Sequence, residues 1–282
     1  MSERRTDLSV DNTRVVVFES GAAEARPLLM LHGYPQSHRC FRKVIPELAA
    51  RYRVIAPDLF GWGASERSLE AAPRFDDEVR RLSLLIDALG LREFSLLGHD
   101  YGGLLAMAYA TANPERVARL ALSNTRAHKT FAPTWYMLLG SVTWLGSTPV
   151  LWRLLEHLPA YALHRRILAP HAARGAFGED DIEAYLGWMR TAEGARWFAH
   201  YYRHFRISPR KELAEKARVL RCPVALIWGE QDRYFPIAIA EDLVRLIPHA
   251  RLHRIAADHY VMEERPAEVV AAIEGWMLTG VA

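Results

Sequence analysis

Residues 95–103 read Ser-Leu-Leu-Gly-His-Asp-Tyr-Gly-Gly and place an apolar run, a turn of small residues and the start of a helix in immediate succession. The apolar run predicts a buried strand, and the apolar stretch at residues 104–112 predicts a buried helix after it. Gly98 and Gly102 leave room for a tight turn between the two. A turn of this kind would push the side chain of Asp100 out over the edge of a sheet.

Similar apolar runs alternate with helical patterns through the first part of the chain and again near its end. Such alternation is typical of parallel strands joined by crossover helices, so we predict an α/β fold with a mostly parallel central sheet and flanking helices. We predict strands at residues 14–18, 28–31, 53–56, 94–97, 117–122, 224–228 and 251–255, and helices at 75–89, 104–112, 237–246 and 266–277.

The alternation stops between residues 126 and 212, where the sequence becomes helical in pattern. A helical segment between two halves of a parallel sheet is typical of a lid. We therefore predict a core domain of residues 1–125 and 213–282 that carries a helical cap, or lid, of residues 126–212. Five of the eight tryptophans lie in this cap: Trp135, Trp144, Trp152, Trp188 and Trp197.

Composition excludes several classes of function. The 36 Lys and Arg residues are interleaved with 33 Asp and Glu residues, without the basic block typical of nucleic-acid binding, so we expect no nucleic-acid partner. No apolar run is long enough to span a bilayer, and the first residues lack the apolar core of a secretory signal, so we expect no membrane association and a cytoplasmic location. Cys40 and Cys222 have no metal-type spacing, which argues against a disulfide or a zinc site. The sequence indicates no particular oligomeric state.

Two further polar segments follow predicted strands near the end of the chain. Residues 228–232 read Trp-Gly-Glu-Gln-Asp, and residues 256–259 read Ala-Ala-Asp-His. A lone carboxylate in a turn is usually structural, but Asp100, Asp232 and His259 follow the α/β-hydrolase order of nucleophile, acid and histidine. Asp258 is a rival acid by adjacency, although neighbours in sequence rarely face each other.

With these residues the chain resembles the α/β-hydrolase superfamily, and within it the aspartate-nucleophile branch of epoxide hydrolases and haloalkane or haloacetate dehalogenases. The resemblance covers nearly the whole chain. It includes His-Gly-Tyr-Pro at residues 32–35 and Asp-Leu-Phe-Gly-Trp-Gly-Ala-Ser at residues 58–65, where we expect His32 and Asp58 to shape their turns.

The resemblance implies a two-step reaction at Asp100. Its carboxylate would attack an sp3 carbon and form an alkyl-enzyme ester. His259 would then activate water to hydrolyse that ester, with Asp232 orienting the ring. The backbone N–H groups of Tyr34 and Tyr101 would bind the oxyanion of the hydrolysis step. The mechanism requires a small apolar organic substrate and water, and neither a metal nor an organic cofactor.

Departures within the branch favour one activity over the others. Residues 123–125 read Ser-Asn-Thr, without the acid that many dehalogenases carry there, so the acid role passes to Asp232. Tyr101 stands where haloalkane dehalogenases usually have Trp and haloacetate dehalogenases usually have Arg. Epoxide hydrolases need lid phenols that protonate the leaving oxygen, and Tyr202 matches such a position. Tyr136 is a less clear match for a second phenol.

We therefore predict epoxide hydrolysis. Haloalkane or haloacid dehalogenation through the same Asp100 ester is the alternative, and the cap tryptophans could then supply halide donors. A third possibility is a binding protein of hydrolase fold without turnover. The presence of Asp100, Asp232 and His259 argues against that possibility, because a binding protein needs no such set.

Overall fold

Eight strands form one sheet within residues 3–127, 129 and 131–278, which are the residues that this computed structural model describes. In chain order they are β1 Arg4–Val10, β2 Thr13–Ser20, β3 Pro27–Leu31, β4 Arg53–Pro57, β5 Phe94–His99, β6 Val117–Ser123, β7 Val224–Gly229 and β8 Arg251–Ile255. Across the sheet their order is β1-β2-β4-β3-β5-β6-β7-β8. β2 pairs antiparallel with β1 and β4, and the other neighbours are parallel. The predicted α/β class is confirmed.

Apolar residues fill both faces of the central strands. Leu28 and Met30 of β3 belong to the core on one face, and Leu29 and Leu31 belong to the core on the other. Successive side chains of a strand point to opposite faces, so a strand covered on both sides needs an unbroken apolar run. This explains why these strands were visible in the sequence.

Strand β1 was not predicted. It lies at the edge of the sheet, and most of its residues are exposed or half-buried. Its charged residues Arg4, Arg5 and Asp7 reach solvent or pair with neighbours. Charged side chains on an edge strand discourage pairing with other chains, and the same charges break the apolar pattern that would identify a strand.

The helices of the core lie between the strands and after the last one. They are α1 Ile45–Leu48, α2 Phe75–Ala88, α3 Tyr101–Ala112, α8 Lys211–Ala217, α9 Ala238–Leu246, α10 Val261–Glu264 and α11 Pro266–Met277. Between β6 and β7 lie the inserted helices α4 Pro133–Ser147, α5 Ala160–Ala172, α6 Glu179–Leu186 and α7 Ala192–His204. The predicted domain boundary between residues 212 and 213 falls inside α8, and the division into core and cap stays a prediction. No helix within the described ranges is long and apolar enough to cross a membrane.

The carboxyl ends of the parallel strands meet at one edge of the sheet. The segments that follow β3, β5, β7 and β8 at this edge carry Tyr34, Asp100, Asp232 and His259. In open α/β sheets, ligands bind outside this edge. The topology therefore brings together residues that are up to 225 positions apart in the chain, taking Tyr34 and His259 as the extremes.

Candidate active site

The turn between β5 and α3 holds Asp100 in an unusual backbone conformation, with φ 51° and ψ −118°. Few residues other than glycine adopt positive φ, and such strain is concentrated at functional sites. A Cβ on Gly98 would lie 2.3 Å from the carbonyl oxygen of Gly102, and one on Gly102 would lie 2.3 Å from that of Leu31. Both glycines are therefore required for the close approach that forms this turn.

A cavity of about 100 Å³ lies between the sheet edge and the inserted helices. Asp100 and His259 line it from the sheet side. Its other walls are largely apolar and aromatic, a lining typical of small-molecule sites. Inserted-helix residues in this lining include Trp135, Leu139, His164, Leu168, Tyr201 and Tyr202.

The carboxylate of Asp100 is held by two backbone donors. The N–H of Tyr34 donates to Oδ1 of Asp100 at 2.8 Å, and the N–H of Tyr101 also bonds this side chain. Burial raises the pKa of Asp100 above its ordinary value, although His259 and the two N–H groups oppose the rise. The two predicted oxyanion donors thus converge on the predicted nucleophile.

The ring of His259 lies between two carboxylates. Its Nδ1 is 2.9 Å from Oδ2 of Asp232, and its Nε2 is 3.7 Å from Oδ2 of Asp100. The first distance is a hydrogen bond and the second is too long for one. Burial opposes charge on this ring, but the carboxylates of Asp232 and Asp100 outweigh burial and raise the pKa of His259 above 6.5.

Asp232 is fixed by donors on every side. Asn124 donates its side-chain amide to Oδ2 at 2.6 Å, and the N–H groups of Tyr234 and Phe235 donate to Oδ1 at 2.7 and 3.0 Å. Asn124 lies in the segment after β6, where the sequence lacks an acid. Sequence reasoning missed its role, because a single amide after a strand carries no motif.

Asp258, the rival acid, faces away from the His259 ring. Its Oδ2 pairs with Arg174 at 2.6 Å and with Arg233 at 2.8 Å. Its Oδ1 accepts the backbone N–H of His259 at 2.8 Å. Asp258 therefore anchors the loop that carries the histidine.

His32 and Asp58 bind backbone groups of the turns around the site. The N–H of Leu59 donates to Nε2 of His32 at 2.9 Å. Asp58 accepts the N–H of His38 at 2.8 Å and that of Ala64 at 2.7 Å. These contacts are consistent with the expectation that His32 and Asp58 shape their turns.

Tyr202 faces the cavity in a chain of hydrogen bonds. Its hydroxyl donates to the hydroxyl of Tyr34 at 3.0 Å, and the Tyr34 hydroxyl in turn contacts Nε2 of His164. Nδ1 of His164 lies 2.7 Å from the carbonyl oxygen of Ala160, so Nδ1 carries the proton and Nε2 accepts from Tyr34. Burial lowers the pKa of His164 to about 4 and keeps its ring neutral.

The Tyr34 side chain and His164 were not predicted as site residues. The motif predicts a role only for the backbone N–H of Tyr34, although its side chain in the His-Gly-Tyr-Pro turn also lies close to the nucleophile's cavity. His164 lies within α5, far from any motif. Only the packing of α5 over the sheet edge brings His164 to the cavity.

The structure does not bring Tyr136 into the cavity, so that prediction is corrected. Tyr136 is 41% exposed and lies on the outer side of α4 with Met137 and Trp144. Its neighbour Trp135 lines the cavity instead. Consecutive residues of a helix point in directions about 100° apart, and only Trp135 faces the sheet here.

A family model described as the α/β-hydrolase fold matches residues 26–266. The chain belongs to this family and is a hydrolase of the α/β fold. Haloalkane dehalogenase 2 of Mycobacterium tuberculosis is 29% identical over 262 residues, which cover 88% of this chain and 86% of that protein.

Solved structures of related fold cover nearly the whole chain. An α/β hydrolase fold protein from Burkholderia ambifaria has a TM-score of 0.78 at 26% identity, covering 95% of this chain and 96% of its own. A mutant of an epoxide hydrolase from Bacillus megaterium has a TM-score of 0.76 at 24% identity, covering 97% of this chain and all (100%) of its own. Epoxide hydrolases and a haloalkane dehalogenase among the similar proteins are consistent with the aspartate-nucleophile branch.

Proposed function

We propose that this protein opens epoxides to diols through a covalent ester on Asp100, with residues 126–212 acting as a cap over the site. The observation that carries the proposal is the hydroxyl pair of Tyr202 and Tyr34, which lines the same cavity as Asp100. A carboxylate opposite two phenols supplies both a nucleophile for a ring carbon and a proton for the ring oxygen.

In the first step an oxygen of Asp100 forms a bond to one epoxide carbon while the bond from that carbon to the ring oxygen breaks. The ring oxygen takes a proton from a phenol as charge develops on it. Burial raises the pKa of Tyr202 to about 12, which keeps this phenol protonated at neutral pH. The contact of Tyr34 with Nε2 of neutral His164 holds the phenol pair in place, and the phenolate that this step leaves is reprotonated in the second step.

In the second step His259 takes a proton from water as the water oxygen attacks the ester carbonyl carbon. Asp232 stabilises the resulting imidazolium, and the N–H groups of Tyr34 and Tyr101 hold the oxyanion. The bond between the ester carbonyl carbon and the alkyl oxygen, which came from Asp100, then breaks, His259 protonates that oxygen, and the diol leaves. The proton of the new Asp100 carboxyl group returns to the phenolate. One oxygen of the regenerated Asp100 carboxylate comes from water.

Dehalogenation is the second candidate, and two observations favour it. A haloalkane dehalogenase is among the sequence relatives, and the indole-bearing Trp135 lines the cavity. In this reaction Asp100 would displace a halide ion, which needs N–H donors and no proton. The phenol pair would then have no chemical part in the first step.

The two reactions separate in a direct assay. Purified protein is incubated with styrene oxide and with 1-bromobutane, and diol and bromide are measured. We expect diol formation that falls when Tyr202 is changed to Phe. Bromide release without diol would replace the proposal by dehalogenation, and no product from either compound would favour a binding protein.

A further inference from the structure

A second cavity, of about 270 Å³, lies against the first. Tyr101, Arg126 and Phe205 line both cavities, which therefore adjoin each other at these residues. The remaining lining comes from residues 73–76 around the start of α2, from Leu104 of α3, and from the end of α7 with the segment that follows it. This second cavity, the basic cavity below, plays no part in the chemistry proposed above.

Positive charge dominates the basic cavity. Four arginines line it, against one carboxylate, that of Asp76; the arginines are Arg74, Arg126, Arg206 and Arg210. Arg210 lies 3.6 Å from the exposed Glu212. Across the described residues, Arg74, Arg126 and Arg206 have no carboxylate within ion-pair distance.

Arg126 places a fixed cation where the two cavities adjoin. It is buried, and its guanidinium donates to the carbonyl oxygens of Arg206, Ile207 and Ser208 at 3.2, 3.1 and 2.9 Å. Carbonyl partners hold the group in place, and the Asp100 carboxylate interacts with its charge from beyond ion-pair distance. A buried cation without a directly paired acid is costly, so a further anion near it would be stabilised.

The neighbouring His204 is subject to the same positive electrostatic potential. This half-buried ring also lines the basic cavity. Burial lowers the pKa of His204 to about 4, and charge repulsion from His200 when protonated and from Arg74, Arg203 and Arg206 adds to the fall. A site that disfavours a further positive charge favours a negative one.

We propose that the basic cavity binds the carboxylate of the substrate, while the apolar cavity holds the carbon chain and the reacting epoxide. This inference rests on the proposed function and names its substrate class, an epoxide with a carboxylate at its other end. Because Arg126 and Phe205 line both cavities, the anion site lies beside the cavity of the nucleophile. Arg74 and Arg206 are exposed guanidinium groups at the outer side, suited to carboxylate recognition.

The binding test needs no turnover. Octanoate and octanamide, which have the same chain and differ in charge, are titrated into the intact protein by calorimetry. We expect octanoate to bind at least about tenfold more tightly, with affinity that falls as salt rises. Equal affinity for the two compounds would overturn the proposal.

Arginine variants test whether the carboxylate of octanoate binds in the basic cavity. The double change Arg74→Gln and Arg206→Gln is expected to abolish the preference for octanoate. Arg196→Gln is the matched control, because Arg196 is an exposed arginine of α7 that lines neither cavity. A preference that survives the double change, or that is lost equally in the control, would contradict the assignment.

Two further measurements tie the anion to the substrate. Inorganic phosphate is titrated as a free anion, and binding as tight as that of octanoate would overturn the proposal in favour of a separate anion site. With 7,8-epoxyoctanoate and its methyl ester, we expect kcat/KM to favour the acid at least about tenfold, and this ratio to fall toward one in the double variant. If neither compound is opened, the proposed function fails, while the octanoate titration still decides the anion site.

Discussion

Nδ1 of His259 lies 2.9 Å from Oδ2 of Asp232, in a buried contact between loops that follow two neighbouring strands, β7 and β8. The bond fixes which ring nitrogen faces the acid, so Nε2 points toward Asp100. An imidazole held in this way can receive a proton on Nε2 while a carboxylate stabilises the charge on the ring. The geometry therefore makes His259 and Asp232 act together.

Changing Asp232 to Asn should slow ester hydrolysis about 10²- to 10⁴-fold, the range over which positioned acids and bases contribute. The amide removes the charge that stabilises the imidazolium. Asp258→Asn is the control: we expect lower thermal stability, because two arginines lose their partner, with hydrolysis retained. Single-turnover kinetics and thermal unfolding measure the two effects, and the reverse pattern would make Asp258 the acid.

Hydrolysis of the ester should rise with pH, because His259 accepts a proton only when it is neutral. The Asp232 carboxylate raises the pKa of His259 against burial, whereas Asp100 has lost its charge in the ester. In Asp232→Asn burial dominates, so the rising limb should move to lower pH. Single-turnover rates between about pH 5 and pH 9 test this sign, and a shift to higher pH would contradict the assigned pairing.

Removing either cavity hydroxyl should slow epoxide opening. We expect Tyr202→Phe and Tyr34→Phe each to lower the rate of diol formation about 10- to 10³-fold, since the departing oxygen loses a proton donor. Tyr136→Phe is the matched control, because this phenol is 41% exposed and lies outside the cavity. An effect in Tyr136→Phe comparable to that in Tyr202→Phe would mean that the Tyr136 hydroxyl also acts on the substrate.

The strained turn at Asp100 should be visible in stability. Asp100→Gly and Asp100→Ala both remove the nucleophile and should both abolish turnover. Only glycine accepts φ 51° and ψ −118° without strain, so the glycine variant should have the higher free energy of unfolding by about 1–3 kcal/mol. Urea denaturation compares the two, and greater stability of the alanine variant would mean that the turn carries no strain.

The sequence predicted the fold well where one physical effect dominated. Strands buried on both faces, such as β5, require unbroken apolar runs and can therefore be predicted from the sequence. The edge strand β1 was not predicted, because its residues face solvent or form ion pairs and so lack the apolar pattern of a core strand.

Within the site, motif residues were predictable and packing residues were not. Asp100, Asp232 and His259 follow strands in a recognisable order, and the structure brings them together. Tyr136 was misjudged because sequence does not tell which side of α4 meets the sheet. His164 and Asn124 act through contacts across 130 and 108 residues, which no local pattern reveals.

The central claim is a covalent bond between Asp100 and substrate carbon, and His259→Gln tests it most directly. This variant should still attack styrene oxide but fail to hydrolyse the ester. Intact mass spectrometry should then show one added substrate mass, and peptide mapping should place it on Asp100. An active wild-type enzyme whose His259→Gln variant gives no adduct, or an adduct on another residue, would contradict the account.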